Sequence, residues 1–146
     1  MKLTKRKYTW EEFDKDTYNL IRRIKYTKFE PATIVSIATG GLILGTKLKN
    51  KLKTPLVIIS ANSYEGKEKK QLTYNVSFTK PLESPILLVD DICDTGDTMN
   101  QVYNHISSLG IVIKTASLFY KERSSFKPNW YSNLVADNTW VQFPWE

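Results

Sequence analysis

The chain has 146 residues, enough to bury one core and too few for two comfortable ones. Hydrophobic residues make up 41% and charged residues 25%, an ordinary balance for a globular protein, and the formal net charge of +6 suits a polyanionic small ligand, nucleic acid or an anionic membrane without choosing among them. One cysteine, Cys93, excludes an intrachain disulfide and a multi-cysteine zinc site, and one histidine, His105, excludes a histidine-cluster metal site.

The basic start at residues 1–7 leads into no apolar signal core, and no span of about 20 apolar residues follows, so a reducing cytoplasm is the expected location. Thr9 and Glu12 form a capping-box pattern, and Phe13, Leu20, Ile21 and Ile24 recur at helical spacing, which predicts an amphipathic helix over 10–26. The β-branched run 33–38 predicts a strand. Gly40-Gly41 and a basic helix ending near Lys53 follow, and Pro55 precedes a second strand over 56–60. Residues 62–80 are polar and charged between Tyr64 and Tyr74, and are read as a mobile surface excursion, in part a hairpin. A third strand is expected over 86–90, a helix carrying Met99, Val102, Ile106 and Leu109, a stop at Gly110, a fourth strand over 111–119, a loop over 121–130 and a short strand near 134–136. Strand, helix, strand, excursion, strand, helix, strand is α/β alternation around a mostly parallel central sheet flanked by helices, in one domain over 1–146.

The segment 86–99 carries the most chemistry. Four apolar residues run into Asp90 and Asp91; Asp94, Thr95, Gly96, Asp97 and Thr98 follow, and a helix begins. A helix start offers unpaired N–H groups and a positive dipole end, which bind phosphate. Carboxylates beside it suit a sugar diol, a hard metal ion or proton transfer. In parallel sheets ligands sit beyond the carboxyl ends of the strands, which puts Gly40-Gly41, Asp90-Asp91 and Lys121 at one edge. Cys93, near a helix start, is read as a packing residue.

The string D-D-x-x-D-T-G-x-T after an apolar strand resembles the phosphoribosyl-pyrophosphate signature of type I phosphoribosyltransferases. Thr39-Gly40-Gly41 resembles the family's pyrophosphate loop, Ser63-Tyr64 the pair on its flexible catalytic loop, and Lys121 the lysine that meets the purine 6-oxo group. The ending from Asn138 to Glu146, with Trp140 and Val141, is similar to that of the bacterial xanthine-guanine, or 6-oxopurine, branch, as is Thr9-Trp10. The resemblance spans nearly the whole chain. It implies the type I phosphoribosyltransferase fold with a small hood built from the terminal segments.

It also implies roles. Asp90 and Asp91 would hold the ribose hydroxyls and Mg2+, and the turn Thr95, Gly96, Asp97, Thr98 the 5′-phosphate. Asp94 would be the general base at purine N7, Trp140 would stack on the base, Val141 would offer backbone contacts, and Ser63 and Tyr64 would close over the transition state. The implied reaction joins a 6-oxopurine (guanine, xanthine or hypoxanthine) to phosphoribosyl pyrophosphate in a homodimer or homotetramer. Two departures stand out. Thr39 replaces a usual Arg or Lys, with Lys47, or Lys67, Lys69 and Lys70, as candidate substitutes; Asp97 stands where Gly or Lys is common. The alternatives are a phosphoribosyl-pyrophosphate-sensing regulator that binds nucleic acid, disfavoured because no helix-turn-helix is appended, and a phosphoribosyltransferase for another base.

Overall fold

The computed structural model describes residues 2–65, 70–77 and 81–146, with side chains outside 61–80. The elements are β1 (Thr4–Lys7), α1 (Trp10–Tyr26), β2 (Thr33–Ala38), α2 (Leu42–Leu52), β3 (Leu56–Glu65), β4 (Lys70–Ser77), β5 (Ile86–Cys93), α3 (Asp97–Ser107), β6 (Ile113–Lys121), β7 (Trp130–Val135) and β8 (Thr139–Gln142). Six strands form one sheet in the order β4-β3-β2-β5-β6-β7, parallel except for β4, and β1 pairs with β8 in a separate parallel ribbon.

Local chemistry accounts for the helices. At the start of α1, Thr9 Oγ1 accepts from the Glu12 N–H and the Glu12 carboxylate accepts from the Thr9 N–H, a complete capping box. Its buried stripe is Phe13, Thr17, Leu20, Ile21 and Ile24. The alternation of β5 explains the layering. Leu87 and Val89 face a core with α1, α2 and the hood residues Tyr8, Val141 and Phe143, whereas Ile86 and Leu88 face Met99, Val102 and Ile106 of α3. Both faces are covered, so the strand reads as a continuous apolar run.

Two expectations change and one is sharpened. Strand β5 runs to Cys93 rather than ending at Asp90, because β6 continues beside it and pairs with Ile92 and Cys93. The hairpin expected within 62–80 is present, with residues 62–65 completing β3 and 70–77 forming the antiparallel β4. The last strand of the large sheet begins at Trp130, where Ser132 and Asn133 mask the apolar pattern; Asn133 Nδ2 donates to Leu118 O and to Asp16. The charged β1 carries no apolar alternation and is found only through its partner β8.

The site is placed by register. Strand β2 pairs with β5 only from Thr33–Ile86 to Ser36–Val89, so beyond Val89 the two strands separate. From β2 the chain winds outward to β3; from β5 it winds the other way to β6. This reversal opens a crevice at the carboxyl ends of both strands.

Candidate active site

Asp90 and Asp91 line the crevice from β5. Oδ1 of Asp90 accepts from the Asp91 N–H at 2.8 Å, and Oδ1 of Asp91 from the Ile92 N–H at 2.7 Å. No described cation pairs with either carboxylate. Burial is the main cause that raises both above the ordinary carboxylate range. The neighbouring Asp91 charge pushes Asp90 further, and Glu146 pushes Asp91. Two adjacent, uncompensated carboxylates are the donor set that a hard divalent cation lacking a full protein cage requires. Among the described residues, no group of three or more His, Cys, Asp or Glu could enclose a metal. Any cation there would therefore complete its shell from water and ligand oxygens.

The loop after β2 meets this pair. The Ala38–Thr39 peptide is cis. A Cβ added at Gly40 would lie 2.5 Å from Asp91 Oδ2, and one at Gly41 2.7 Å from the Ile37 carbonyl oxygen, so both glycines are there for close approach. Thr39 is exposed. Lys47 does not substitute for a loop cation, since its Nζ lies 3.4 Å from Asp14 Oδ1 on α1. Lys67, Lys69 and Lys70 lie outside the described side chains.

The turn Thr95–Thr98 has the geometry of an anion cradle. Gly96 sits at the N-cap of α3 with φ 90°, and no side chain caps the helix there. Thr98 and Met99, whose N–H groups have no partner among the described contacts, line a cleft of about 80 Å³ between the turn and Asp90. Asp97 is exposed, and its N–H donates to Thr95 Oγ1 at 3.3 Å. The segment after β6 braces the turn: Ser125 donates to the Thr95 carbonyl oxygen through its N–H (2.8 Å) and its hydroxyl (3.0 Å), and Asn100 Nδ2 donates to Ser125 Oγ. Burial pushes the Cys93 thiol up to about 12, which fits packing.

Asp94 lies between two cations. Lys121 Nζ, 6% exposed at the end of β6, is 3.3 Å from Asp94 Oδ1; Arg123 reaches the same oxygen through Nε at 3.0 Å and through Nη2. Asp94 is the first cause that raises the Arg123 guanidinium above its usual value. The Arg123 N–H donates to Asp137 Oδ1 at 2.8 Å, which joins this cluster to the segment entering β8. Arg123 and Ser125 were missed from sequence; the spacing Lys121-x-Arg123 at a strand end, which turns both side chains the same way, was the available signal.

Trp140 and Val141 lie on the hood ribbon rather than the main sheet, opposite Lys5 and Arg6. Trp140 is 56% exposed, whereas the Val141 side chain is buried in the core, which leaves only its backbone for a ligand. Ser63 and Tyr64 lie on β3 opposite Leu72 and Gln71. Their side chains, and residues 66–69 and 78–80 of the expected lid, lie outside the described ones.

A family model described as phosphoribosyl transferase domain matches residues 8–146. The crystal structure of a purine phosphoribosyltransferase from Pyrococcus horikoshii Ot3 superposes with a TM-score of 0.88 at 30% identity, covering 97% of this chain and 94% of the other. The xanthine-guanine-hypoxanthine phosphoribosyltransferase of Helicobacter pylori gives 0.87 at 25% identity, covering 98% and 94%. A xanthine-guanine phosphoribosyltransferase of Idiomarina loihiensis is 26% identical over 142 residues, which cover 94% of this chain and 84% of the relative.

Proposed function

The chain belongs to the phosphoribosyl transferase family and is a transferase, and from that premise we propose that it makes purine nucleoside monophosphates by transferring phosphoribose from phosphoribosyl pyrophosphate to guanine, xanthine or hypoxanthine. The observation that carries this reading is Asp94, held by Lys121 and Arg123 next to an uncapped helix start. A sugar phosphate seated on that helix start would leave its anomeric carbon near Asp94, and a 6-oxopurine would find a cation for its oxygen and a carboxylate for its proton.

The reaction is displacement at the anomeric carbon through an oxocarbenium-like state. The bond to pyrophosphate breaks, the bond to the purine nitrogen forms, and the purine loses a proton. In this reading the α3 amides and the hydroxyls of Thr95 and Thr98 fix the 5′-phosphate. Asp94 takes the proton. Both cations use Oδ1, and among the described contacts Oδ2 accepts from nothing, so one oxygen is open to the base. Lys121 meets the 6-oxo group, and Trp140 covers the ring. Asp90 and Asp91 are the residues to hold Mg2+, which would supply charge neutralisation for the departing pyrophosphate. Gly40 and Gly41 let backbone amides approach the same group. With Thr39 in place of a basic residue, what the loop itself offers is its backbone amides.

No described helix is long and apolar enough to cross a membrane. Assembly as a homodimer or homotetramer in the cytoplasm is part of the same reading, and sedimentation velocity tests it. The test of function is incubation with phosphoribosyl pyrophosphate, Mg2+ and each of guanine, xanthine, hypoxanthine, adenine and uracil. Nucleotide and pyrophosphate are expected from at least one 6-oxopurine and from neither of the last two bases. Product from none of the five, or from adenine or uracil alone, sinks the reading.

A further inference from the structure

Among the described residues, sizeable clefts also lie away from the crevice. Three of them, of about 740, 560 and 570 Å³, lie at the opposite end of the sheet. The first and second share Asn129 and Trp130, and the second and third share Lys28 and Phe29, so they form one continuous groove. The groove runs past the C-terminal ends of α1 and α2 and beneath the starts of β2, β3, β6 and β7. The six-residue β2 alone sets it roughly 20 Å from the Gly40 loop.

Six cations line this groove: Arg22, Arg23, Lys25, Lys28, Lys53 and Lys114, all exposed. The lining carboxylates are Asp16 and Glu30, and Asp16 Oδ2 already accepts from the Tyr8 hydroxyl and Asn133 Nδ2. Among the described residues, none of the four lysines forms an ion pair. A helix C-terminus favours nearby cations, which explains part of the placement of Lys25 and Lys53. Arg22 lies over the Tyr18 ring and Arg23 Nη1 donates to the Tyr131 carbonyl oxygen, whereas a helix end does not explain Lys114. Lys28 and Lys53 hold φ of 62° and 55° as the left-handed residues that end α1 and α2. Aromatic rings sit along the same groove: Tyr26 is 88% exposed at one end, and Phe29 packs on Trp130 in the middle.

The geometry points to a second binding site, one for single-stranded nucleic acid: the groove's cations track the phosphates, and Tyr26 with Phe29 offers faces for base stacking. A positive channel with interleaved aromatics is the general design for binding single strands without sequence preference. The fold gathers onto one face cations that are scattered along the chain.

The test is fluorescence anisotropy of a labelled single-stranded RNA of mixed sequence, about 20 nucleotides long, titrated with the full chain. Binding is expected, and it should weaken on the order of 10²-fold between about 50 and about 200 mM salt if five or six phosphates are neutralised. The variant K28E/K53E/K114E should lose it. K2E/K5E/K7E, which carries the same net charge change on the hood side, should retain it. Tyr26→Ala should weaken binding several-fold with the salt slope unchanged, and Tyr26→Phe should not. Phosphoribosyl transfer by K28E/K53E/K114E should match that of the parent. No RNA binding, equal loss in both triple variants, or equal affinity for a duplex of the same sequence overturns the proposal. So does self-association that K28E/K53E/K114E abolishes in the absence of RNA binding, which would make this face a contact between copies.

Discussion

Arg123 grips Asp94 by a single oxygen. Its Nε and Nη2 both reach Oδ1, Lys121 Nζ joins them there, and among the described contacts the opposite carboxylate oxygen accepts from nothing. On the proposed reading, a carboxylate fixed in this way is aimed before the base arrives, and proton transfer depends on such aim.

Removing the carboxylate gives the most direct prediction. Asp94→Ala should lower turnover by about 10²–10⁴, the usual worth of general-base assistance. Affinity for phosphoribosyl pyrophosphate with Mg2+, measured by calorimetry, should stay within a few-fold of the parent. Full turnover in the variant would remove Asp94 from the mechanism.

Arg123→Ala separates aim from chemistry. The base is still present but is held by Lys121 alone, so kcat should fall by about 10- to 100-fold, the range expected of a misplaced catalytic group. The KM for the phosphoribosyl donor should hold steady. Arg123→Lys should recover only part of the loss, because an ammonium cannot place two donors on one oxygen as the guanidinium does. Steady-state kinetics on the three proteins decide the matter.

Gly40→Ala tests the contact between the loop and the acidic strand. The added methyl would stand 2.5 Å from Asp91 Oδ2, and the carboxylate, being the free end of a side chain, is what gives way. Donor affinity in the presence of Mg2+ should drop at least tenfold. Overpacking typically costs about 1–3 kcal/mol, so a thermal melt should show only a moderate loss of stability. Unchanged donor affinity would mean that the position of Asp91 is immaterial to binding.

Tyr8 supplies a pH prediction remote from the site. Its ring is buried, its hydroxyl donates to Asp16 Oδ2 at 2.6 Å, and burial, then Asp16, raise it far above the usual phenol value. A phenol whose folded value is raised stays protonated after its unfolded counterpart has ionised near 10. Its contribution is therefore complete below about pH 10 and drains away as pH rises beyond that. Tyr8→Phe should cost about 1.5–3 kcal/mol at pH 7, the worth of a hydrogen bond to a charged acceptor, and should flatten the alkaline decline. Titration of the eight tyrosines by absorbance should show one ionising only with unfolding.

The acidic strand and its turn were legible because their chemistry is local. Asp90, Asp91, Asp94 and the uncapped start of α3 lie within a few residues, and apolar periodicity marked α1 from Trp10 to Tyr26 without error. What could not be read was what distant pairing supplies. Strand β5 outruns Asp90 because β6 is long enough to sustain it. The charged β1 is a strand only because β8 lies beside it. Arg123 and Ser125 matter through contacts with residues about 30 positions earlier, and no window along the chain contains both partners. The basic groove was invisible for the same reason, since Arg22, Lys53 and Lys114 come from three separate helix and strand ends.

The β1–β8 ribbon ties the fourth residue of the chain to the one hundred and thirty-ninth. During synthesis Thr4–Lys7 leaves the ribosome well before Thr139–Gln142, so on the proposed reading the turn that would hold phosphate is made before the ribbon that would roof it is complete. On the proposed roles, a nascent chain halted before Trp140 would carry the residues for the sugar phosphate and lack the ring that covers the base. By the same arrangement, changes in β8 could retune which base is accepted while leaving the handle untouched.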